Sequence, residues 1–181
     1  VEATLKAAEV VRLGDPFDET TTMGPLNNEA SAAKMDRHIA DARDRGIEVL
    51  MGGGRAPGFP TDLYYEFTVL DRVTEDSLVS REESFGPVVP VIVARDDADA
   101  IAIANRTNLG LQAAVFTNDV TRAFWYADRI RSGTVIVNDS TDFWETFQPF
   151  GGAAGTDTGW GRQRIEEFTD LQTVVFNLRD E

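Results

Sequence analysis

The sequence predicts an α/β fold built on parallel strands, and two observations carry that expectation. Between residues 88 and 138, β-prone runs alternate with helix-period stretches in the order Val88–Ala94, Asp97–Asn105, Leu111–Thr117, Asp119–Ile130 and Thr134–Asn138. That spacing is the signature of βαβ units with right-handed crossovers. The chain has 181 residues, about the size of one domain and long enough to bury a core.

Each element has its own local cause. Residues 1–12 place Leu5, Ala8 and Arg12 at helical spacing, with Val11 one step round, and Gly14, Asp15 and Pro16 supply the stop. This helix opens without a cap or a Met, so further chain is expected before Val1. From Asn28 to Arg45, Ala32, Met35, Ile39 and Ala42 recur at three- and four-residue steps, and Gly46 ends the pattern. Ile47–Met51 reads as a strand broken by Gly52, Gly53 and Gly54, and Tyr64–Leu70 as a second. In the helix near 119–130, Val120, Ala123, Phe124, Ala127 and Ile130 form one apolar face, and Asn118 or Asp119 can cap its start. A loop without regular pattern follows from Asp139 to about Gly161, carrying Phe143, Trp144, Phe147, Phe150 and several glycines. So long a loop in a compact domain is usually functional. The last run, Thr173–Leu178, is β-prone and largely uncharged and comes too late to belong to the βαβ series. An edge of that kind needs a partner, so it is expected to mediate homo-oligomerisation.

Composition excludes several classes of function. Seventeen Lys plus Arg against 31 Asp plus Glu give a formal charge of −14, which disfavours a phosphate backbone or an anionic membrane as partner. The chain has no cysteine, which removes thiol nucleophiles, disulfides and Cys-based zinc sites, and a single histidine, His38, rules out a His-rich metal cage. No apolar run approaches the roughly 18–20 residues of a membrane span and no signal peptide is visible, so the expected address is cytoplasmic. Lys6 and Lys34 are the only lysines; an arginine-rich, acidic surface fits a salty cytoplasm and a GC-rich genome equally.

Three features invite a chemical reading. His38 stands mid-helix with no marked nucleophile beside it and is expected to be a helix-surface or half-buried side chain rather than a base. The run from Pro149 to Gly155 is glycine-rich, but no Lys-Ser/Thr follows it and no strand–turn–helix context surrounds it. A tight loop with close backbone packing is the better expectation than a phosphate cradle. The segment Arg81-Glu82-Glu83-Ser84-Phe85-Gly86-Pro87 sets two carboxylates before a Gly-Pro turn that feeds a strand. Composition favours a solvated acidic loop, although a carboxylate there can accept two hydrogen bonds from a sugar diol while Phe85 offers a flat apolar wall.

Taken in order, Gly14-Asp15-Pro16, Met23-Gly24-Pro25-Leu26, Gly52-Gly53, Glu82-Glu83-Ser84-Phe85-Gly86-Pro87-Val88, Asn108-Leu109-Gly110-Leu111, Gly133-Thr134-Val135-Ile136-Val137-Asn138 and Pro149-Phe150-Gly151-Gly152 closely resemble the carboxyl-terminal part of the aldehyde dehydrogenase superfamily. The resemblance runs over essentially the whole chain. It implies an enzyme that oxidises a small aldehyde to an acid with NAD or NADP, in which a cysteine thiolate attacks the carbonyl, hydride passes to the nicotinamide and a glutamate activates water. It further implies that Glu83 holds the nicotinamide ribose, Phe85 packs beside the nicotinamide, Phe150 lines the substrate tunnel, Asn138 ends the strand leading to the tunnel mouth and Trp144 lies on that loop.

The departures from the family pattern matter as much. The nucleophilic cysteine, the water-activating glutamate, the oxyanion-binding asparagine and the cofactor-binding Rossmann domain all belong upstream of Val1 in this resemblance. Residues 1–170 then form a catalytic domain incomplete at its N-terminal side, and residues 171–181 an oligomerisation strand and tail. No catalytic residue is assigned to this chain, and neither NAD nor NADP is expected to bind tightly to it alone. Thr158 stands where relatives commonly have serine, and the stretch after Gly159-Trp160-Gly161-Arg162 is shortened by about a helical turn. Two readings remain at this point, part of a dehydrogenase or a stand-alone binding or assembly module derived from that fold.

Overall fold

A computed structural model describes residues 1–142, 145, 147–151, 153, 161 and 168–176. The chain forms two compact units, residues 1–103 and 104–181. Among the described residues no helix is long and apolar enough to cross a membrane.

The first unit is built around α2 (Glu29–Asp44), which follows a short α1 (Glu2–Ala8). Asn28 caps α2 by accepting a hydrogen bond from the Ser31 N–H at 2.9 Å, relieving one of the donors that a helix start leaves unpaired. The predicted inner face is the observed one: Ala32, Met35, Ile39 and Ala42 are all buried. Met35, Ile39 and Ala42 pack with Ile47, Tyr65, Leu70, Val73 and Val79. Against this helix lies a three-stranded sheet in the order β1 (Glu48–Met51), β2 (Thr68–Asp71), β3 (Val88–Pro90). Strand β1 runs antiparallel to β2, with Val49 opposite Leu70, and β3 runs parallel to it, with Thr68 opposite Val88. The central strand is covered on both faces, so Thr68, Val69 and Leu70 are all buried. The crossover between β2 and β3 contains a one-turn helix, α3 (Leu78–Arg81), which sequence periodicity does not reveal because four residues are too few to show a period.

Helix α4 (Asp97–Asn105) precedes β4 (Gln112–Val115), α5 (Val120–Ala127) and β5 (Thr134–Val137). Strands β4 and β5 pair in parallel with Gln112 opposite Thr134 and Val115 opposite Val137, a βαβ unit as predicted. Asp119 caps α5, accepting from the Thr121 and Arg122 N–H groups at 2.8 and 3.1 Å. In the second unit one described residue of the glycine-rich run, Gly151, meets another backbone closely. A Cβ on Gly133 would collide with the Gly151 carbonyl, so two backbones meet where side chains cannot.

The α/β class with parallel strands holds, and several boundaries differ. Among the described residues the strands form two sheets, and the first is mixed because β1 runs antiparallel to β2. The predicted strand Val88–Ala94 is regular only over Val88–Pro90, although Val91 still donates to the Leu70 carbonyl and accepts from the Val73 N–H. The first helix stops at Ala8, and the Arg12 N–H that a longer helix would turn back to the Ala8 carbonyl donates instead to Thr22 Oγ1 at 2.7 Å. The strand predicted at Tyr64 begins at Thr68, the two tyrosines being buried in a loop where Tyr65 bridges Arg55. On α5 the expected apolar face is covered only in part: Ala123 is buried, but Val120 and Phe124 are exposed. Residues 171–176 carry no regular structure and Val175 and Phe176 are exposed, while Asn177 and Leu178 lie outside the described residues.

The Asn28 cap gives a direct test of how α2 is set. Asn28→Ala should lower unfolding stability by about 1 kcal/mol, the usual worth of such a cap, in a urea titration with an unchanged slope; a change within error would mean that packing alone fixes the helix start.

Candidate functional site

The segment Glu82–Gly86 crosses α2 as a strap, and three polar side chains of the helix, Lys34, Arg37 and His38, hold it. Lys34 donates from Nζ to the Glu83 carbonyl at 3.0 Å, and its ammonium lies 5.4 Å from the Phe85 ring centroid, within cation–π range. Arg37 pairs with Glu82 at 3.2 Å. His38 bridges the strap, with Nε2 3.2 Å from Glu82 Oε2 and Nδ1 3.0 Å from Ser84 Oγ. The helical period explains the trio, since positions 34, 37 and 38 stand at i, i+3 and i+4 on one stripe beside the apolar face.

His38 departs from expectation. It is neither on the helix surface nor half-buried but fully buried, with 0 % of its surface exposed. Burial of an imidazole is tolerated because both ring nitrogens have partners. A carboxylate only accepts, so the Nε2–H donates to Glu82. In the neutral ring, Nδ1 is then left to accept the Ser84 hydroxyl proton. The hydrogen bond from His38, and after it the Arg37 charge, hold the Glu82 carboxyl below its usual range.

The two adjacent glutamates therefore part company. Glu82 contacts the buried histidine while its side chain stays 41 % exposed, so it is a solvated carboxylate with one buried partner, whereas Glu83 is exposed. Extended backbone at Glu82 (φ −109°, ψ 137°) sends neighbouring side chains to opposite sides. Phe85 sits at φ +48°, a left-handed conformation that costs a non-glycine residue roughly 1–2 kcal/mol, and its ring is 73 % exposed. Gly86 follows without a side chain because Met35 fills the space below; a Cβ there would strike the Met35 sulfur. Phe85, Gly86, Met23, Gly24, Pro25 and Tyr65 line an open cleft of about 460 Å³. On the far side of α2, Asp36 accepts from Arg55 Nη2 at 2.7 Å, and Arg55 also grips Glu29 at 2.6 Å. Burial, then the neighbouring Asp36 carboxylate, pushes the Tyr65 phenol above its ordinary range.

The other predicted positions lie in the second unit. Asn138 stands at φ +60° just past β5, and its amide is committed to the backbone of Thr117, accepting from its N–H and donating to its carbonyl, both at 2.8 Å. It ties the ends of β4 and β5. Phe150 is half-buried beside Gly151, and Trp144 lies outside the described residues. Sequence reading missed Lys34, Arg37, His38 and Ser84. The i, i+3, i+4 stripe on α2 was the signal, but its partners stand more than forty residues away.

Comparison with known proteins identifies the scaffold. The model of the aldehyde dehydrogenase family matches residues 1–174, and the chain belongs to that family. It is 38% identical over 169 residues to the lactaldehyde dehydrogenase of Methanococcus vannielii, covering 91% of this chain and 35% of that protein. Among solved structures, a mutant aldehyde dehydrogenase from Bacillus cereus superposes with a TM-score of 0.87 at 30% identity, over 96% of this chain and 35% of the other. A betaine aldehyde dehydrogenase mutant from Staphylococcus aureus, in complex with NAD+, gives 0.83 at 28% identity over 99% and 38%. The chain thus spans about a third of the length of the curated relatives it matches.

Glu82 makes the site's acid response predictable. Its carboxyl is held low in the folded chain, so its contribution is fully present above the ordinary Glu value near 4.5 and is lost as pH falls through the lowered value. Glu82→Gln should therefore flatten the stability curve between neutral pH and the region below 4.5, read by urea unfolding at a series of pH values. Curves that stay parallel would mean that the pairing adds nothing to folding.

Proposed function

We propose that this chain is the carboxyl-terminal portion of an NAD- or NADP-dependent aldehyde dehydrogenase that oxidises a small aldehyde to a carboxylic acid. The order of its motifs supports that placement, with the Glu83-Ser84-Phe85-Gly86-Pro87 segment ahead of the Pro149-Phe150-Gly151-Gly152 segment. The names of its relatives are consistent with a small aldehyde as substrate. Because the chain has no cysteine, the thiolate such a reaction requires has to come from residues outside it, and alone it oxidises no aldehyde.

One observation carries the reading. The structure leaves Glu83 exposed on a strap whose neighbours are pinned from below, so its two oxygens are available to a diol without first breaking a contact. The exposed Phe85 ring beside it can cover one face of a flat heteroaromatic ring. These groups fit the ribose and nicotinamide of a dinucleotide, which supplies the hydride acceptor when bound. Glu83 would orient the sugar, Phe85 would exclude water from one ring face, and Phe150 and Trp144 would contact the aldehyde.

The tail from Thr173 to Leu178 serves, in this reading, as a strand added to a neighbouring subunit. Deleting residues after Asp170 should weaken self-association in sedimentation velocity of the dehydrogenase. An unaltered profile in a protein otherwise dimeric would place the tail within its own chain.

The cofactor reading is tested on the whole dehydrogenase by Glu83→Gln. Losing one charged acceptor for two hydroxyls is worth roughly 1.5–3 kcal/mol, so hydride transfer should fall about 10- to 100-fold at unchanged thermal stability. The 181-residue chain assayed in parallel should turn over no aldehyde. Unchanged hydride transfer would return Glu83 to an ordinary surface carboxylate, and turnover by the isolated chain would refute the division of labour.

A further inference from the structure

We propose that His38 is a positioning residue that holds the Glu82–Gly86 strap in the one shape that presents Glu83 and Phe85 outward. The assignment rests on the cofactor reading of Glu83 for its consequence in catalysis, but the clamp itself stands on geometry. The ring is fully buried, yet it contacts the strap at two points two residues apart, Glu82 through Nε2 and Ser84 through Nδ1. Glu83 lies between those points with its own carbonyl taken by Lys34, so its side chain is the one that faces away. Phe85 follows immediately at φ +48°. A non-glycine residue keeps that conformation only where its surroundings over-determine it, and the clamp on Ser84 fixes the residue before it.

The same three groups have the connectivity of a nucleophile, a base and an orienting carboxylate. Accessibility argues against that use. A base that hands a proton to a leaving group must be reachable from the substrate side, and this imidazole has no exposed surface. Its two bonds both run to one short segment, which is the arrangement of a clamp.

The test begins on the 181-residue chain. Ring ¹⁵N shifts should give His38 as protonated at Nε2 with an accepting Nδ1, and Ser84→Ala should move the Nδ1 resonance. In His38→Ala, amide exchange at Ser84, Phe85 and Gly86 should rise roughly tenfold or more relative to Ile39 and Ala42 in the helix core. His38→Asn and His38→Gln, each able to restore one of the two bonds, should recover part of the protection. Exchange that stays put, or that rises equally in strap and helix, would overturn the proposal and leave His38 a packed core residue. Should His38→Ala fail to fold, Ser84→Ala carries the same expectation at Phe85, because it removes only a half-buried hydroxyl. In the whole dehydrogenase, His38→Gln should raise the KM for the dinucleotide with little change in the KM for the aldehyde. A loosened strap with a normal response to Glu83→Gln would keep the clamp and reject the cofactor reading; a rigid strap with a damaged Glu83→Gln enzyme would do the reverse.

Discussion

The strap's geometry depends on the rigidity of one helical turn. Met35 and Ile39 point into the core from the same stretch of α2 that directs Lys34, Arg37 and His38 at the strap. An α-helix fixes the angle between such neighbours through its 3.6-residue repeat, so the strap is referenced to the core by backbone geometry rather than by a flexible loop. Met35 serves both sets at once, filling the core and supporting Gly86 from below. A site carried on a loop gains the precision of a regular element when the loop is bonded to that element at several points.

Electrostatics complete the frame. The chain is strongly acidic, and its paired carboxylates near α2 are matched by arginines: Arg55 with Glu29 and Asp36, Arg45 with Asp41 and Asp76, Arg37 with Glu82. Arg55 shows why the guanidinium suits this work. Its planar fork reaches both Glu29 oxygens, Asp36 and the Asp62 carbonyl together, a set that a single ammonium would satisfy less well. Asp41 adds a second kind of service, accepting from the Leu78 N–H. It thereby completes the start of α3, whose own Ser77 makes no capping bond. These exposed pairs contribute orientation more than stability.

What could be read from the sequence was local or periodic. The apolar steps of α2, the Asp119 cap of α5 and the βαβ order of β4, α5 and β5 each follow from residues close together in the chain. Glu83 and Phe85 were reached through a resemblance of motifs, and the structure adds the reason why one of two adjacent carboxylates is presented outward. The mixed character of the first sheet was hidden because pairing between β1 and β2 depends on residues some twenty positions apart. The burial of His38 was hidden for a similar reason. Its neighbours Arg37 and Asp36 are polar and suggest solvent, and only the strap, 44 to 46 positions away, shows what covers the ring. A one-turn helix such as α3 leaves no periodic trace at all.

The contact between Met35 and Gly86 also sets a chemical vulnerability. Oxidation of a thioether to its sulfoxide adds an oxygen and makes the side chain polar, and no room exists for it where even a methyl group on Gly86 would collide with the sulfur. Met35 has 0 % of its surface exposed, so peroxide reaches it only in molecules whose first unit has opened. Once oxidised, such a molecule cannot close over the same packing. The rate at which the strap is lost to oxidants is therefore governed by how often the core breathes, and the damage, once done, is retained until the sulfoxide is reduced.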